Sequence, residues 1–227
     1  MKSKKVSDFF ERDDFDRASS VMVQVCVLMS LSNVSSVLEV GPGRGNTATL
    51  LKSFGVRYES VDTVTQFVEP TYTSEFLKFS TTKKFDAVAA FQVFEHSPRE
   101  HLVDNFRKCA ELSRMHVVVS LPYSGNYMTY SFRAKLFDPN RYASGMVNFQ
   151  RVVRFPVFFP SRRSSWRRHE KRDDSARHQW EVGDHGSTVR DIIKAMTLAG
   201  LSCDDIFLNS FYPYHCFFVA RVQGFKS

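Results

Sequence analysis

The stretch Ser36–Asp62, SVLEVGPGRGNTATLLKSFGVRYESVD, decides the fold of this chain. Its first residues are apolar and partly β-branched, which predicts a buried parallel strand over Val37–Val40. A glycine-rich loop follows, then a short helix that ends at Gly55. A second strand, Arg57–Val61, brings Asp62 to the same sheet edge as the loop, where an acid can accept both hydroxyls of a ribose. The stretch therefore predicts an open α/β sheet with a ligand site at its glycine loop.

The loop carries three glycines, Gly41, Gly43 and Gly45, shortly after Glu39. Glycines permit backbone angles closed to other residues and let a ligand approach the main chain. The spacing differs from that of a nicotinamide-binding loop, because Asn46 stands where the third glycine of G-x-G-x-x-G would be. A phosphate-binding P-loop needs Gly-Lys-Ser/Thr, which is absent. Two interpretations of the loop remain. It binds a ligand of another class, or it is a tight strand-to-helix turn that binds no ligand.

Strand and helix patterns continue to alternate along the chain, apart from one long interruption. Further strands are predicted near Thr71–Thr73 and over Phe85–Phe91, Met115–Leu121, Leu201–Leu208 and His215–Val222. The alternation predicts a doubly wound sheet. The last two strands are joined by a loop too short for a crossover helix, so they must pair antiparallel.

Helices are indicated around this sheet by periodicity and by capping residues. Phe9–Leu31 has apolar residues at helical spacing and predicts one or two helices. Residues 1–34 are therefore interpreted as a helical cap that could cover the ligand edge. The patterns Ser97–Glu100 and Thr188–Asp191 predict capping boxes at the starts of two later helices.

The net charge of +7 is concentrated in one segment. Residues 151–177 contribute +6, with nine Lys or Arg against three acids, so the rest of the chain is nearly neutral. This segment belongs to an insertion, residues 126–177, that is rich in Phe, Tyr and Arg and whose prolines predict few long regular elements. We interpret the insertion as an acceptor lid within a single domain, residues 1–227. Its arginines suit a phosphate or carboxylate on the acceptor.

The composition is ordinary for a globular protein, with 43% hydrophobic and 24% charged residues. No apolar run approaches the ~20 residues of a membrane span. The basic N-terminus turns acidic where a signal peptide would need its apolar stretch. The four cysteines show no paired spacing and are interpreted as buried free thiols in a reducing compartment. The expected location is cytoplasmic, and no metal site is predicted.

Four segments carry a resemblance to a known family. The acid, glycine loop and second acid of Glu39–Asp62 resemble the first two motifs of the class I S-adenosylmethionine-dependent methyltransferases. FDAVAAFQVFEH, residues 85–96, resembles the fourth-strand motif of that family, with Phe94 in place of the usual leucine. RHQWEVGDHGSTVRDIIKAMTLAGL, residues 177–201, resembles the H-x-W-E-I-G segment of a bacterial subgroup, with Val182 for isoleucine. YPYHCFFVARV, residues 212–222, resembles the last strand of the same subgroup.

This resemblance implies a Rossmann-like sheet of about seven strands, with the last strand antiparallel and an insertion after the fifth. It implies S-adenosyl-L-methionine as the cofactor, with Glu39 anchoring the methionine ammonium and Asp62 accepting the ribose hydroxyls. The other implied contacts are the loop backbone at Gly41, Gly43 and Gly45, the adenine neighbours Glu75 and Phe76, and the methionine-end residues Phe91 and Gln92. The alternative for Phe91 is a core aromatic.

The chemistry follows from the cofactor. A sulfonium methyl is already activated, so the protein chiefly holds a nucleophile in line and excludes water. A hydroxyl acceptor would also need a base, for which His178 and Glu181 are the candidates. Their alternative role is a structural anchor where the insertion rejoins the sheet. His96 is interpreted as a residue at the start of a helix.

Three function hypotheses remain open. The first is an enzyme that methylates an oxygen or nitrogen of a small-molecule, saccharide or lipid-linked acceptor, which the basic lid suggests is anionic. The second is an RNA methyltransferase that uses residues 151–177 as a nucleic-acid platform, because basic residues with interleaved aromatics suit backbone contacts and base stacking. The third is a non-catalytic binding protein. The sequence lacks the Asn-Pro-Pro-Tyr motif of adenine-N6 and glutamine methylators and the Pro-Cys nucleophile of pyrimidine carbon methylators.

Overall fold

The computed structural model describes residues 12–65, 67–125, 127–136, 145–154 and 178–224. Four α-helices lie in these residues: α1 (Arg12–Ser30), α2 (Asn46–Ser53), α3 (Leu102–Leu112) and α4 (Val189–Leu198). Nine strands lie there as well: β1 (Ser36–Val40), β2 (Arg57–Asp62), β3 (Tyr72–Thr73), β4 (Phe85–Phe91), β5 (Ser113–Pro122), β6 (Tyr127–Leu136), β7 (Gly145–Arg154), β8 (Leu201–Leu208) and β9 (His215–Val222).

Seven of the strands form one sheet in the order β3-β2-β1-β4-β5-β9-β8. Neighbouring strands are parallel except at β9, which is antiparallel to both β5 and β8. This confirms the predicted Rossmann-like, doubly wound sheet with an antiparallel last strand. The chain runs from β1 outward to β3 and then crosses to β4 on the other side of β1. The topological switch point, where open α/β sheets bind their ligands, therefore lies between β1 and β4.

Helices cover both faces of this sheet. The helices α1 and α2 pack on one face, and α3 and α4 pack on the other. Alternate residues of β4 face the two helix layers. Ala87 and Ala89 pack in the hydrophobic core on the α1/α2 face, and Val88 and Ala90 pack in the core on the α3/α4 face. Every residue of β4 is buried, as expected for a central parallel strand.

The middle of helix α1 reaches the carboxyl-terminal edge of the sheet, and its later residues pack on the sheet face. Ser20 Oγ lies 2.6 Å from Nδ1 of His215, which begins β9 beside the end of β5. Further along the helix, Gln24 accepts a hydrogen bond of 2.9 Å from Thr47, in the first turn of α2 after the glycine loop. These contacts place α1 beside the ligand edge. The wider interpretation of residues 1–34 as a cap stays a prediction.

The described helices and cysteines differ in how they meet the sequence expectations. None of the helices there is both long and apolar enough to cross a membrane. Cys109 and Cys216 are buried as predicted, but Cys26 is exposed and Cys203 is only partly buried. Cys26 follows directly after Val25 on α1, so it turns away from the sheet that Val25 contacts.

One of the two predicted capping boxes is present. Thr188 and Asp191 cap α4 reciprocally, with the Thr188 backbone N–H donating to Asp191 Oδ2 at 2.9 Å. The prediction for Ser97–Glu100 was wrong, because α3 begins at Leu102 after a 3₁₀ turn, Arg99–His101. The Ser97 hydroxyl instead donates to a carbonyl oxygen three residues earlier in the chain.

The expectation of few regular elements in the insertion was also wrong for its first part. The strands β6 and β7 form an antiparallel ribbon that pairs Tyr127 with Arg154 at one end and Leu136 with Gly145 at the other. Pro139 lies between the two strands in sequence, and the other prolines follow β7, so prolines bound the ribbon and do not interrupt it. Most of the basic segment, residues 155–177, lies outside the described residues.

Candidate functional site

Glu39 stands near the carboxyl end of β1, between β2 and β4. The residue is 3% exposed, and its carboxylate accepts a hydrogen bond of 2.5 Å from the Tyr58 hydroxyl. Burial raises the pKa of Glu39 to about 7, although the hydrogen bond from Tyr58 opposes the rise. A buried carboxylate is costly without a cationic partner, so this position suits a ligand ammonium group.

The glycine loop turns the chain from β1 into α2 with all three glycines in the left-handed region, at φ 64° for Gly41, 53° for Gly43 and 71° for Gly45. A Cβ atom at Gly41 would lie 2.7 Å from Val93, and one at Gly45 would lie 2.7 Å from Val68. A Cβ atom at Gly43 would meet no described protein atom within 4 Å. The main chain at Gly43 therefore faces space in which a ligand could lie directly against it.

The next two strand ends continue this edge. Asp62 ends β2, and its Oδ1 accepts a hydrogen bond of 3.1 Å from a backbone N–H two residues on. After β3, Glu75 is exposed and pairs with Lys78 at 2.9 Å. The half-buried ring of Phe76 stacks on Phe94 with 6.0 Å between centroids. An acid and an aromatic ring therefore follow β3, at the two positions predicted to flank an adenine.

The chain leaves β4 through an unusual backbone conformation. Phe91 is 7% exposed and packs against Phe217, so its ring is mainly a core side chain. Gln92 has a left-handed φ of 57°, which few non-glycine residues adopt. Its backbone N–H donates to the carbonyl of Ser120 on β5 at 3.0 Å, and its side-chain amide donates to the Ser120 hydroxyl at 3.3 Å. These bonds hold the sharp turn at the switch point.

Beyond this turn five side chains form a polar cluster: Glu95, His96, His178, Glu181 and Tyr214. Nδ1 of His178 lies 3.3 Å from Oε1 of Glu181 and 3.0 Å from the Tyr214 hydroxyl. The same hydroxyl donates to Glu181 at 2.6 Å. On the other side of the ring, Nε2 of His178 lies 3.9 Å from Oε1 of Glu95. The ring of His96 stands edge-on to that of His178, with 5.0 Å between centroids.

The segment that carries His178 and Glu181 is fastened to the ends of β4 and β5. The backbone N–H of Gln179 donates to the carbonyl of Glu95 at 2.8 Å, and that of Val182 donates to the last residue of β5 at 2.8 Å. Between them, the indole N–H of Trp180 donates to the carbonyl of Ser97 at 3.1 Å. The polar cluster is therefore held by backbone contacts and by a buried indole.

The electrostatics of the polar cluster depend on burial. Glu95 is fully buried, and neither of its carboxylate oxygens accepts a hydrogen bond from another residue that the structure describes, although its own backbone N–H lowers its pKa slightly against the effect of burial. Burial raises the pKa of Glu95 to about 7. The hydrogen bond to Glu181 raises the pKa of His178, and burial raises the pKa of the Tyr214 hydroxyl. The cluster thus combines an imidazole held by Glu181 with an unusually basic buried carboxyl group.

A depression of about 420 Å³ lies at the opposite, amino-terminal edge of the sheet, with Lys83, Arg114 and Glu59 among its lining residues. Lys83 is paired with Glu59 at 2.9 Å, and Arg114 with Asp86 at 3.0 Å. Open α/β sheets bind their ligands at the carboxyl ends of the strands, so this edge is not the candidate site.

Comparison with known proteins agrees with this geometry. A family model described as a methyltransferase domain matches residues 22–150, more than half of the chain, and includes the glycine loop and the exit of β4. The chain belongs to this methyltransferase family. The match confirms the resemblance recognised from Glu39–Asp62, but it does not test the H-x-W-E-I-G subgroup. No curated protein matches the sequence significantly.

Solved structures of other methyltransferases share the fold at low sequence identity. The magnesium protoporphyrin IX methyltransferase of Synechocystis PCC 6803, crystallised with S-adenosylmethionine, has a TM-score of 0.60 at 15% identity, covering 97% of this chain and 86% of that one. The 1,6-didemethyltoxoflavin-N1-methyltransferase of Burkholderia thailandensis has a TM-score of 0.56 at 14% identity, with 96% and 85% covered. An S-adenosylmethionine-dependent methyltransferase of Clostridium acetobutylicum has a TM-score of 0.54 at 11% identity, with 96% and 97% covered.

In this methyltransferase the residues predicted for the cofactor lie along the ends of β1 to β4, and His178 and Glu181 meet as a pair. Sequence reasoning missed Tyr58, Glu95 and Tyr214 as their partners. Glu95 stood in a recognised motif, and an acid just after a strand end was the signal that could have found it. The two tyrosines carry no such signal, because their contacts arise from the packing of other elements.

Proposed function

We propose that this methyltransferase transfers a methyl group from S-adenosyl-L-methionine to an oxygen, or a nitrogen, of a small-molecule, saccharide or lipid-linked acceptor. The observation that carries the proposal is the arrangement of the ligand edge. Glu39, the glycine loop and Asp62 lie on one side of the switch point, and the polar cluster lies on the other. Membership of the methyltransferase family supports the cofactor class.

The residues of the first side fit this cofactor. Glu39 is a buried carboxylate placed to bind the methionine ammonium, and the backbone at Gly43 is open to close approach. Asp62 is placed to accept the ribose hydroxyls. We assign the remaining contacts as predicted from the sequence, with Gly41 and Gly45 in the loop, Glu75 and Phe76 beside the adenine, and Phe91 and Gln92 at the methionine end.

The polar cluster is proposed to act on the acceptor. S-adenosylmethionine supplies an activated methyl group, so the chain's own residues position the acceptor, exclude water and help to remove its proton. Glu181 and Tyr214 hold Nδ1 of His178, which orients Nε2 toward Glu95. His178 and Glu181 therefore remain the proposed catalytic pair.

The acceptor class is proposed from the neighbours. Two of the similar structures reported above carry a substrate in their names, magnesium protoporphyrin IX and 1,6-didemethyltoxoflavin. A third structure, a glycopeptide N-methyltransferase, has a TM-score of 0.55 at 9% identity. These relatives favour a compact acceptor. The basic segment, residues 151–177, suits an anionic group on it.

Isothermal titration calorimetry on the purified protein tests the cofactor assignment. S-adenosylmethionine and S-adenosylhomocysteine should bind, while NAD and ATP should give no signal. Asp62→Ala should weaken binding by ~1–3 kcal/mol, because buried ribose hydroxyls lose a charged acceptor. NAD binding without a response to S-adenosylmethionine would refute the proposal.

The glycine loop provides a matched pair of variants for the same titration. Asparagine tolerates the left-handed backbone, so Gly43→Asn tests for lost ligand space with little added strain. Gly55→Asn is the control, because Gly55 is also left-handed and open but lies at the far end of α2. Cofactor affinity should fall at least tenfold in Gly43→Asn and stay unchanged in Gly55→Asn. Equal affinities would mean that the loop is only a turn.

A further inference from the structure

Glu95 carries a buried carboxylate whose lack of a hydrogen-bond donor among the other described residues does not follow from the methyltransferase fold. Its side chain is fully buried, and neither carboxylate oxygen has a hydrogen-bond donor in another of the described residues. Buried carboxylates are almost always hydrogen-bonded or paired, since an unpaired charge in the interior is more costly than an unpaired neutral polar group. Apart from the His178 imidazole at 3.9 Å, this carboxylate at a ligand edge has no cationic partner among the described residues, which points to a bound cation.

His178 points its second nitrogen at this carboxylate. The 3.9 Å between Nε2 and Glu95 Oε1 is too long for a hydrogen bond. It is near the separation of two ligands on one ion, which is about 3.4 Å when each lies about 2.1 Å from a tetrahedral zinc. The other nitrogen, Nδ1, is held by the carboxylate of Glu181 at 3.3 Å. A carboxylate on the far nitrogen is the usual partner of a metal-binding histidine, because it fixes the ring and increases its basicity.

His96 supplies a third donor from the solvent side. One ligand atom from each of Glu95, His96 and His178 can be chosen so that all three lie within 4.8 Å of one another. His96 is exposed, so its ring is accessible to an ion from the solvent side. Two imidazoles and one carboxylate form a set that leaves coordination positions open for a substrate.

We propose that Glu95, His96 and His178 bind one divalent transition-metal ion of the zinc type, with Glu181 and Tyr214 orienting His178 behind it. Two nitrogen ligands favour zinc, iron or nickel over magnesium, which prefers oxygen ligands. The sequence did not predict a metal site, because Glu95 and His178 are distant in the chain.

The ion gives the polar cluster a defined role, and this part rests on the proposed methyltransferase function. A hydroxyl of the acceptor that occupies an open position on the ion has a lowered pKa and loses its proton to a solvent water. The oxygen is then held as a nucleophile at the edge where β4 ends. The ion therefore favours oxygen over nitrogen as the methylated atom. His178 acts in this state as a metal ligand, and the ion takes over the activation of the hydroxyl.

Metal binding can be measured without any acceptor. Tag-free, EDTA-treated protein with bound S-adenosylhomocysteine is titrated with ZnCl₂ and separately with MgCl₂ by calorimetry. Zinc should bind once per chain with micromolar or tighter affinity, and magnesium should bind at least a hundredfold more weakly. Glu95→Gln and His96→Asn should each weaken zinc binding at least tenfold, and Glu181→Gln by about 10–100-fold.

His101→Asn is the matched control, because His101 is another exposed histidine only five residues after His96. It should bind zinc like the wild type. Retained affinity for S-adenosylhomocysteine shows that each variant is folded, and Asp62→Ala should weaken that affinity but bind zinc like the wild type. Zinc affinity unchanged in His96→Asn and Glu95→Gln, or no zinc binding by a protein that binds S-adenosylhomocysteine, would overturn the metal inference and leave the methyltransferase proposal standing. Failure to bind S-adenosylhomocysteine would instead count against the methyltransferase proposal.

Discussion

Glu39 illustrates how one residue combines a structural cost with a binding function. Its carboxylate is buried at the end of β1, and burial raises its pKa to about 7 in spite of the hydrogen bond from Tyr58. The folded protein therefore binds a proton at Glu39 more tightly than the unfolded chain does. The stability that this proton contributes is complete below the ordinary pKa near 4.5 and is lost as the pH rises through about 7.

Cofactor affinity should depend on pH through the same carboxylate. The ionised form binds the methionine ammonium, so the affinity for S-adenosylhomocysteine should fall about tenfold between pH 8 and pH 6. Glu39→Gln should flatten this profile at a weak affinity, and the exposed Glu100→Gln should leave the profile unchanged. Calorimetry at five pH values makes the comparison. A steep profile that persists in Glu39→Gln would assign the titration to another group.

The loss of a buried charge should also appear in the stability of the unliganded protein. At pH 8 Glu39→Gln should raise the free energy of unfolding by up to about 3 kcal/mol, since each pKa unit corresponds to about 1.4 kcal/mol. At pH 4 the gain should vanish, because both states then carry a protonated carboxyl group. Urea denaturation at the two pH values measures the difference.

At the scale of elements, the position of the segment 178–182 depends on the packing and the hydrogen bond of Trp180. The indole is 6% exposed, donates to the carbonyl of Ser97 at 3.1 Å, and lies under the guanidinium of Arg99, 5.5 Å from the ring centroid. This one side chain connects the segment after the insertion to the turn before α3. The positions of His178 and Glu181 therefore depend on an anchor that takes no part in the chemistry.

Substitutions at Trp180 should separate the hydrogen bond from the packing. Trp180→Phe should lower the free energy of unfolding by about 1–2 kcal/mol through the lost hydrogen bond and some lost contact. Trp180→Ala should lower it by ~3–5 kcal/mol through the cavity. Phe211→Ala, at an aromatic that is 49% exposed, is the control and should change it by less than ~0.5 kcal/mol. Similar values for Trp180→Ala and Phe211→Ala in urea denaturation would show that the segment is not anchored there.

At the scale of the whole molecule, the charge distribution separates the two enzymatic hypotheses. Residues 151–177 carry +6 of the net +7, so they dominate the attraction to any polyanion. An RNA substrate would bind with steep salt dependence, because each neutralised phosphate releases a counterion. A compact anionic acceptor would use one or two arginines, and its binding would depend little on salt.

We expect the second behaviour, because a lone basic segment on a nearly neutral body suits a compact acceptor. Replacement of Arg162, Arg163, Arg167 and Arg168 by alanine should leave cofactor affinity unchanged. Bulk RNA should bind weakly with a shallow salt slope before and after the change. The control replaces four exposed basic residues elsewhere, Lys52, Lys78, Arg190 and Lys194. A steep salt slope for RNA that flattens by roughly 0.7 per lost contact, only in the first variant, would favour an RNA methyltransferase.

The sequence alone determined the order of the elements, the class of the sheet and its antiparallel last strand. These features follow from local information: an apolar strand pattern, a three-glycine turn, and a final connection too short for a helix. The same information placed Glu39 and Asp62 at one edge, because consecutive parallel strands end on the same side. It failed at Ser97, whose hydroxyl donates to the carbonyl of Phe94 and does not accept from a helix N–H. It also failed in the insertion, where β6 and β7 pair with each other.

Only the tertiary structure decided the polar cluster. Glu95, His178 and Tyr214 come from three separate parts of the chain, and they meet because β9 inserts beside β5 and because Val182 pairs with the end of that strand. Which side chains share a buried space depends on the order of strands in the sheet and on the path by which the insertion returns. Neither is encoded in local propensity, so a carboxylate without a hydrogen-bond donor could be recognised only after the chain was folded.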